Sequence, residues 1–154
     1  MLDPHKSKFH MLYWDIAIAA SNFSVARKAK VGAAVVTATG MISVGYNGMP
    51  AGMDNDCEYY DKKLQCWKTK PEVIHAERNA LDKMARQGVS AEGSIIFVTR
   101  VPCIQCAKSI LGLGIKAVYY LDSHRDMSGA ELLKRSGIYV EKESNEYLYP
   151  QFLR

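Results

Sequence analysis

The chain has 154 residues, 48% of them hydrophobic and 23% charged, which suits a single globular domain (1–154) with a substantial core. No apolar run is long enough to cross a bilayer, and the formal net charge of +4 is too mild by itself to imply a nucleic-acid partner. The N-terminal stretch MLDPHKSKFHMLYWDIAIAA lacks the basic-then-apolar order of a signal peptide, and Asp15 interrupts its apolar patch, so a cytoplasmic, intracellular protein is expected.

In chain order, residues 9–21 carry Phe9, Leu12, Tyr13, Ile16 and Ala20 at helical spacing, which predicts a first helix. VGAAVVTA (31–38) is mostly apolar, as a strand buried on both faces would be. Thr39-Gly40 turns the chain, and MISVGYN (41–47) returns as the second strand of a hairpin. Residues 48–71 are rich in Gly, Pro and Asp without periodicity and read as one long loop of the kind that often carries function. A helix follows over 74–87, stopped by Gly88, then a strand over 94–99. Residues 103–111 read as helix and 116–121 as strand; ELLKRSG (131–137) reads as a helix and IYV (138–140) as a short strand. A hairpin followed by alternating helices and strands predicts a three-layer α/β/α sandwich around a mixed, roughly five-stranded sheet.

Four cysteines, Cys57, Cys66, Cys103 and Cys106, could form two disulfides in a secreted chain or bind metal in an intracellular one, and their neighbours decide. His75 and Glu77 stand two apart in VIHAERNALDKM (73–84), between apolar Ile74 and Ala76. On an ideal helix, residues two apart point about 200° away from each other. They can serve one site only if His75 is the cap residue, whose backbone is not yet helical. In TRVPCIQC (99–106), Pro102 suits a helix entrance, and Cys103 and Cys106 share one face of the first turn, where the helix dipole favours thiolates. Two thiolates and an imidazole supply three ligands for a tetrahedral zinc ion and leave a fourth position open for water, as in a catalytic site. Glu77 then has a use as a proton carrier rather than a ligand. H-x-E joined to P-C-x-x-C is the pattern of zinc-dependent nucleobase deaminases.

The flanking residues narrow the resemblance. KVGAAVV, VGYNGMPAG, HAERNA and TRVPCIQCAKSILGLGIKAVYY together resemble the deoxycytidylate (dCMP) deaminases of the cytidine deaminase superfamily, over roughly residues 24–122. That resemblance implies hydrolysis of dCMP to dUMP and ammonia, with Glu77 moving protons and His75, Cys103 and Cys106 holding Zn2+. It further implies that the Ala76 N–H holds the base carbonyl, Asn47 the sugar 3′-hydroxyl, and that Val31 packs on the base. Arg27, Lys28, Arg100 and Tyr120 are the candidate phosphate contacts. Regulation by dCTP, with Mg2+, as activator and by dTTP as inhibitor, in a homohexamer, is implied too; Gly45, Tyr46, Asn47, Gly48 and Asp54 lie where such an effector site falls. The alternative is that the glycines there serve only to turn the chain. Arg78 departs from the apolar residue usual after the glutamate and is given no catalytic part. Cys57 and Cys66 lack companions for a second zinc and are expected to be free thiols.

Two other readings compete. A deaminase acting on tRNA or single-stranded nucleic acid would need a basic, aromatic groove, and Asp54, Asp56, Glu58 and Asp61 in the long loop argue against one. A purely structural zinc module would have no use for Glu77.

Overall fold

The computed structural model describes residues 3–144. After a short 3-10 turn (Ser7–Phe9) the elements run α1 (His10–Ser21), β1 (Gly32–Val36), β2 (Ile42–Tyr46), β3 (Glu58–Asp61), β4 (Cys66–Thr69), α2 (Ala76–Arg86), β5 (Ile95–Arg100), α3 (Ile104–Gly112), β6 (Ala117–Asp122), α4 (Ser128–Arg135) and β7 (Tyr139–Lys142). Five strands form one mixed sheet in the order β2-β1-β5-β6-β7. β1 pairs antiparallel with β2 and β5, whereas β5, β6 and β7 run parallel.

The central strands are apolar without interruption because both faces of the sheet are covered. In β1 and β5, Ala33, Val35, Ile96 and Val98 join the core that holds Ala80, Leu81 and Met84 of α2, Ala107 and Ile110 of α3, and Leu133 of α4. Their neighbours Ala34, Val36, Ile95 and Phe97 face the other way, against Tyr13, Trp14 and Ala17 of α1. Trp14 is fully buried and meets Phe97 edge-on, with ring centroids 5.1 Å apart. This is the expected three-layer sandwich. Two glycines let helices lie close on the sheet: a Cβ on Gly32 would stand 1.9 Å from the Ala17 carbonyl oxygen of α1, and one on Gly45 2.2 Å from the Ala76 carbonyl oxygen of α2.

The structure departs from the sequence reading at one substantial place. Residues 48–71 are not a plain loop, because β3 and β4 pair as a separate antiparallel hairpin, with Glu58 opposite Thr69 and Asp61 opposite Cys66. The period-two signal is masked because both hairpin faces are largely solvated, and the turn is made by Gln65 at φ 49° rather than by glycine. Elsewhere the differences lie at element ends: α4 starts at Ser128, earlier than expected, and β7 reaches Lys142. Among the described residues, no helix is long and apolar enough to cross a membrane.

Candidate active site

Two helix entrances meet at the carboxyl end of the parallel strands. His75 is the N-cap of α2, with extended backbone (φ −71°, ψ 157°), and Cys103 is the N-cap of α3 (φ −72°, ψ 169°). The extended cap lets His75 turn toward α3 while Glu77, in the first turn of α2, stays buried beside it. The Nδ1 atom of His75 lies 3.5 Å from the sulfur of Cys103 and 3.5 Å from that of Cys106. The Cys106 backbone N–H donates to the Cys103 sulfur at 3.5 Å. Among the described residues, these three form the group whose ligand atoms all lie within 4.8 Å of one another.

This donor set fits zinc. With Zn–S near 2.3 Å and Zn–N near 2.0 Å, a tetrahedral ion needs N···S separations of about 3.5 Å, and the two here are 3.5 Å. The charges fit as well. Hydrogen bonds from the Cys106 thiol and the His75 ring bring the Cys103 thiol down to about 3, although burial opposes this. Cys106 is pushed up because it donates to that thiolate and is itself buried. His75 is raised, first by its hydrogen bond to Cys103, against the effect of burial. Two sulfurs that share one proton beside an imidazole are a site that a divalent cation completes, holding both as thiolates. Glu77 is raised by burial, which outweighs hydrogen bonds from its own backbone N–H and from the Cys106 thiol. A carboxyl raised in this way holds a proton more readily, which suits a group that takes and gives protons.

The group opens onto a cleft of about 530 Å3. Val31, Asn47, Ala76 and Arg100, all named from the sequence, line it together with His75, Glu77 and Cys103. Asn47 is committed to the chain: its side-chain oxygen accepts from the Val31 N–H at 2.9 Å, and its amide donates to the Ala29 carbonyl at 2.8 Å. Each group keeps a second lone pair or N–H for a ligand. Of the candidate phosphate contacts, Lys28 and Arg100 line the cleft. Arg27 is not among the lining residues; its guanidinium is exposed, 3.8 Å from Asp56. Tyr120 is 4% exposed and packed in the sheet core, so it too stands apart from the cleft lining.

The residues proposed for effectors are dispersed. Gly45 is buried against α2, Tyr46 is exposed, and exposed Asp54 lies 3.4 Å from Lys70. Gly48 bridges Ile74 in both directions, at 3.1 and 2.9 Å, and so ties this segment to the residue before His75. Arg78 points to solvent and pairs with Asp82 at 2.7 Å. Cys57 is buried and Cys66 exposed, both free, at opposite ends of the β3–β4 hairpin.

Sequence reasoning missed Glu58, Thr69, His124 and Arg125 in the cleft wall. For His124 and Arg125 a signal existed, since ligands of open α/β sheets bind beyond the carboxyl ends of parallel strands and these residues follow β6. A second hollow, of about 430 Å3, reaches His75, Glu77 and both cysteines from between α2 and α3.

A buried carboxylate beside a His-Cys-Cys group able to hold a metal ion, at the mouth of a three-layer α/β sheet, is the arrangement that zinc-dependent nucleobase deaminases use. Comparisons with known proteins agree. A family model described as the cytidine and deoxycytidylate deaminase zinc-binding region matches residues 7–122. The ComE operon protein 2 of Bacillus subtilis is 40% identical over 124 residues, covering 77% of this chain; the chain in turn spans 62% of that protein's length. The deoxycytidylate deaminase of enterobacteria phage T4 is 33% identical over 150 residues, 72% of this chain and 77% of that one. The crystal structure of the dCMP deaminase from cyanophage S-TIM5 in complex with dCMP and dUMP superposes with a TM-score of 0.82 at 40% identity, covering 90% of this chain and 98% of that chain. The chain belongs to the cytidine and deoxycytidylate deaminase family, and it is similar to the dCMP deaminases within it.

Proposed function

We propose that the chain catalyses the zinc-dependent hydrolysis of dCMP to dUMP and ammonia. The observation that carries this reading is the His75–Cys103–Cys106 group facing a cleft that also holds buried Glu77 and, on its walls, Lys28, Arg100 and Arg125. Zinc held by Nδ1 of His75 and the sulfurs of Cys103 and Cys106 would supply an activated water and a Lewis acid. Glu77 takes a proton from the water and delivers it to N3 of the cytosine ring as the water oxygen bonds to C4; it then moves the remaining hydroxyl proton to the amino group, and the C4–N bond breaks to release ammonia and leave the C4 carbonyl of dUMP. The N–H of Ala76, at the start of α2, holds the base carbonyl, since helix-entrance N–H groups are free of intrahelical partners. Val31 packs on the base, and Asn47 meets the 3′-hydroxyl with the bonding capacity left over from the loop. Lys28, Arg100 and Arg125 receive the 5′-phosphate.

The same reading extends to regulation by dCTP with Mg2+ and by dTTP in a homohexamer. Two features support it: the Gly48–Ile74 bridge, through which a ligand held by Tyr46–Gly48 would act on His75, and the hollow between α2 and α3, which a neighbouring subunit would cover. Free cysteines and a thiolate metal site suit a reducing compartment such as the cytoplasm. The test is ammonia release from dCMP, deoxycytidine and a tRNA stem-loop, each with and without dCTP–Mg2+ or dTTP. Turnover of dCMP alone among the three substrates, raised by dCTP and lowered by dTTP, is expected. Turnover of the stem-loop, or none of dCMP, overturns the substrate; indifference to both triphosphates overturns the regulation.

A further inference from the structure

The loop between α1 and β1 forms one wall of the cleft through Ala26, Lys28, Ala29 and Val31, yet it contains no regular secondary structure. Several of its backbone groups are paired by side chains, from within the loop and from other segments. Asn47 takes the Ala29 carbonyl and the Val31 N–H. Ser24 bonds the Asn47 carbonyl with its hydroxyl at 2.8 Å and receives the Ala26 N–H at 3.2 Å. The N–H groups of Arg27 and Lys28 both donate to one carboxylate oxygen of Glu58, at 2.9 and 3.2 Å. Glu58 is the first residue of β3, some 30 positions along the chain, and itself lines the cleft. Asp56, two residues before it, meets the Arg27 side chain.

We propose that Glu58 is a positioning residue: by accepting both N–H groups it sets the wall of the nucleotide cleft and aims Lys28 into it, so the β3–β4 hairpin is part of the substrate site. This rests on the dCMP reading for its kinetic consequence and on hydrogen-bond geometry alone for its structural one. A carboxylate placed among Lys28, Arg100 and Arg125 would repel a phosphate if it faced the ligand freely. With an oxygen committed to two amides, it serves the wall instead, as a carboxylate does at a helix cap.

The experiment compares the wild type with Glu58→Ala and Glu58→Gln. Loss of the acceptor in Glu58→Ala is expected to raise KM for dCMP about tenfold with kcat within about twofold, the signature of lost binding rather than lost chemistry. Glu58→Gln, whose amide oxygen can accept the same two N–H groups, is expected to recover most of that loss. Hydrogen exchange of the Arg27 and Lys28 amides, which needs no substrate, is expected to accelerate at least about tenfold in Glu58→Ala and to stay slow in Glu58→Gln. An unchanged KM, a fall confined to kcat, or a Glu58→Gln as impaired as Glu58→Ala overturns the proposal. So does a Glu58→Ala that loses zinc or melts far below the wild type, because the role is then one of stability. If the wild type fails to turn over dCMP, the substrate reading falls, and the exchange rates alone decide the place of Glu58.

Discussion

Nδ1 of His75, at the entrance of α2, lies 3.5 Å from the sulfur of Cys103, at the entrance of α3, 28 residues further along the chain. Each residue is the last with extended backbone before its helix. A cap side chain can swing away from the helix axis, so two parallel entrances can share one ion while the first turns behind them stay in the core.

Replacing a ligand tests that convergence. Cys106 is buried, and in Cys106→Ser a hydroxyl takes the place of a thiolate. Outer-shell changes alone weaken metal sites about 10–100-fold, so this variant is expected to lose zinc affinity by more than about 100-fold. Chelator competition measures it. Metal ligation is coupled to folding, so the melting temperature falls too, and far more added zinc than in the wild type is needed to raise it again.

Glu77→Gln keeps the shape of the buried side chain but cannot carry the proton. Its kcat for dCMP is expected to fall at least about 100-fold, the lower range for acid–base catalysis. Zinc content by elemental analysis stays at the wild-type value, which separates this loss from that of the ligand variants.

Gly45→Ala probes the seating of α2. The new Cβ would stand 2.2 Å from the Ala76 carbonyl oxygen and 2.5 Å from the Ala80 nitrogen, both backbone atoms that cannot turn aside. A cost of about 2 kcal/mol or more is expected, lowering the melting temperature by roughly 5 °C. The helix entrance that carries His75 must shift as well, so kcat falls in the same variant.

Arg100→Ala removes a cation from the cleft wall. KM for dCMP is expected to rise about 10-fold or more, in line with one lost charge-assisted hydrogen bond. The kcat at saturating dCMP changes little, and the split between KM and kcat is the measurement.

The thiols differ in pH response. Burial, helped by the charge of Glu58, raises Cys57 above an ordinary thiol, so less of it is thiolate at any pH where thiols react. Cys66 is exposed. With zinc bound, a thiol reagent at about pH 8 is expected to modify Cys66 at once and Cys57 far more slowly, from the folded chain. For Cys57 the rate rises with pH beyond the range where free cysteine levels off. Peptide mass mapping against time and pH reads both rates.

Much of the architecture was legible in local pattern. Runs such as GAAVV and IIFVT announce strands covered on both faces, and the spacing of Ala80, Leu81 and Met84 announces the inner face of α2. The hairpin at Glu58–Thr69 was not legible, because neither face is buried enough to impose alternation. Tyr120 and Arg27 show the same limit in the site. Both stand close along the chain to residues that line the cleft, yet one side chain turns into the core and the other out toward Asp56.

The order of the elements outside the β3–β4 hairpin, and the donor types of the candidate metal group, were readable in the chain itself: a histidine and two cysteines at helix entrances are recognisable from spacing, since capping and the helical repeat act within a few residues. The cleft wall was decided only by the tertiary structure. It is assembled from the loop before β1, the β3–β4 hairpin and the loop after β6, joined by contacts such as the Glu58 hydrogen bonds to Arg27 and Lys28. Periodicity records which side of an element avoids water. Which distant loops come to face one another depends on the order of strands in the sheet, a property of the whole packed chain.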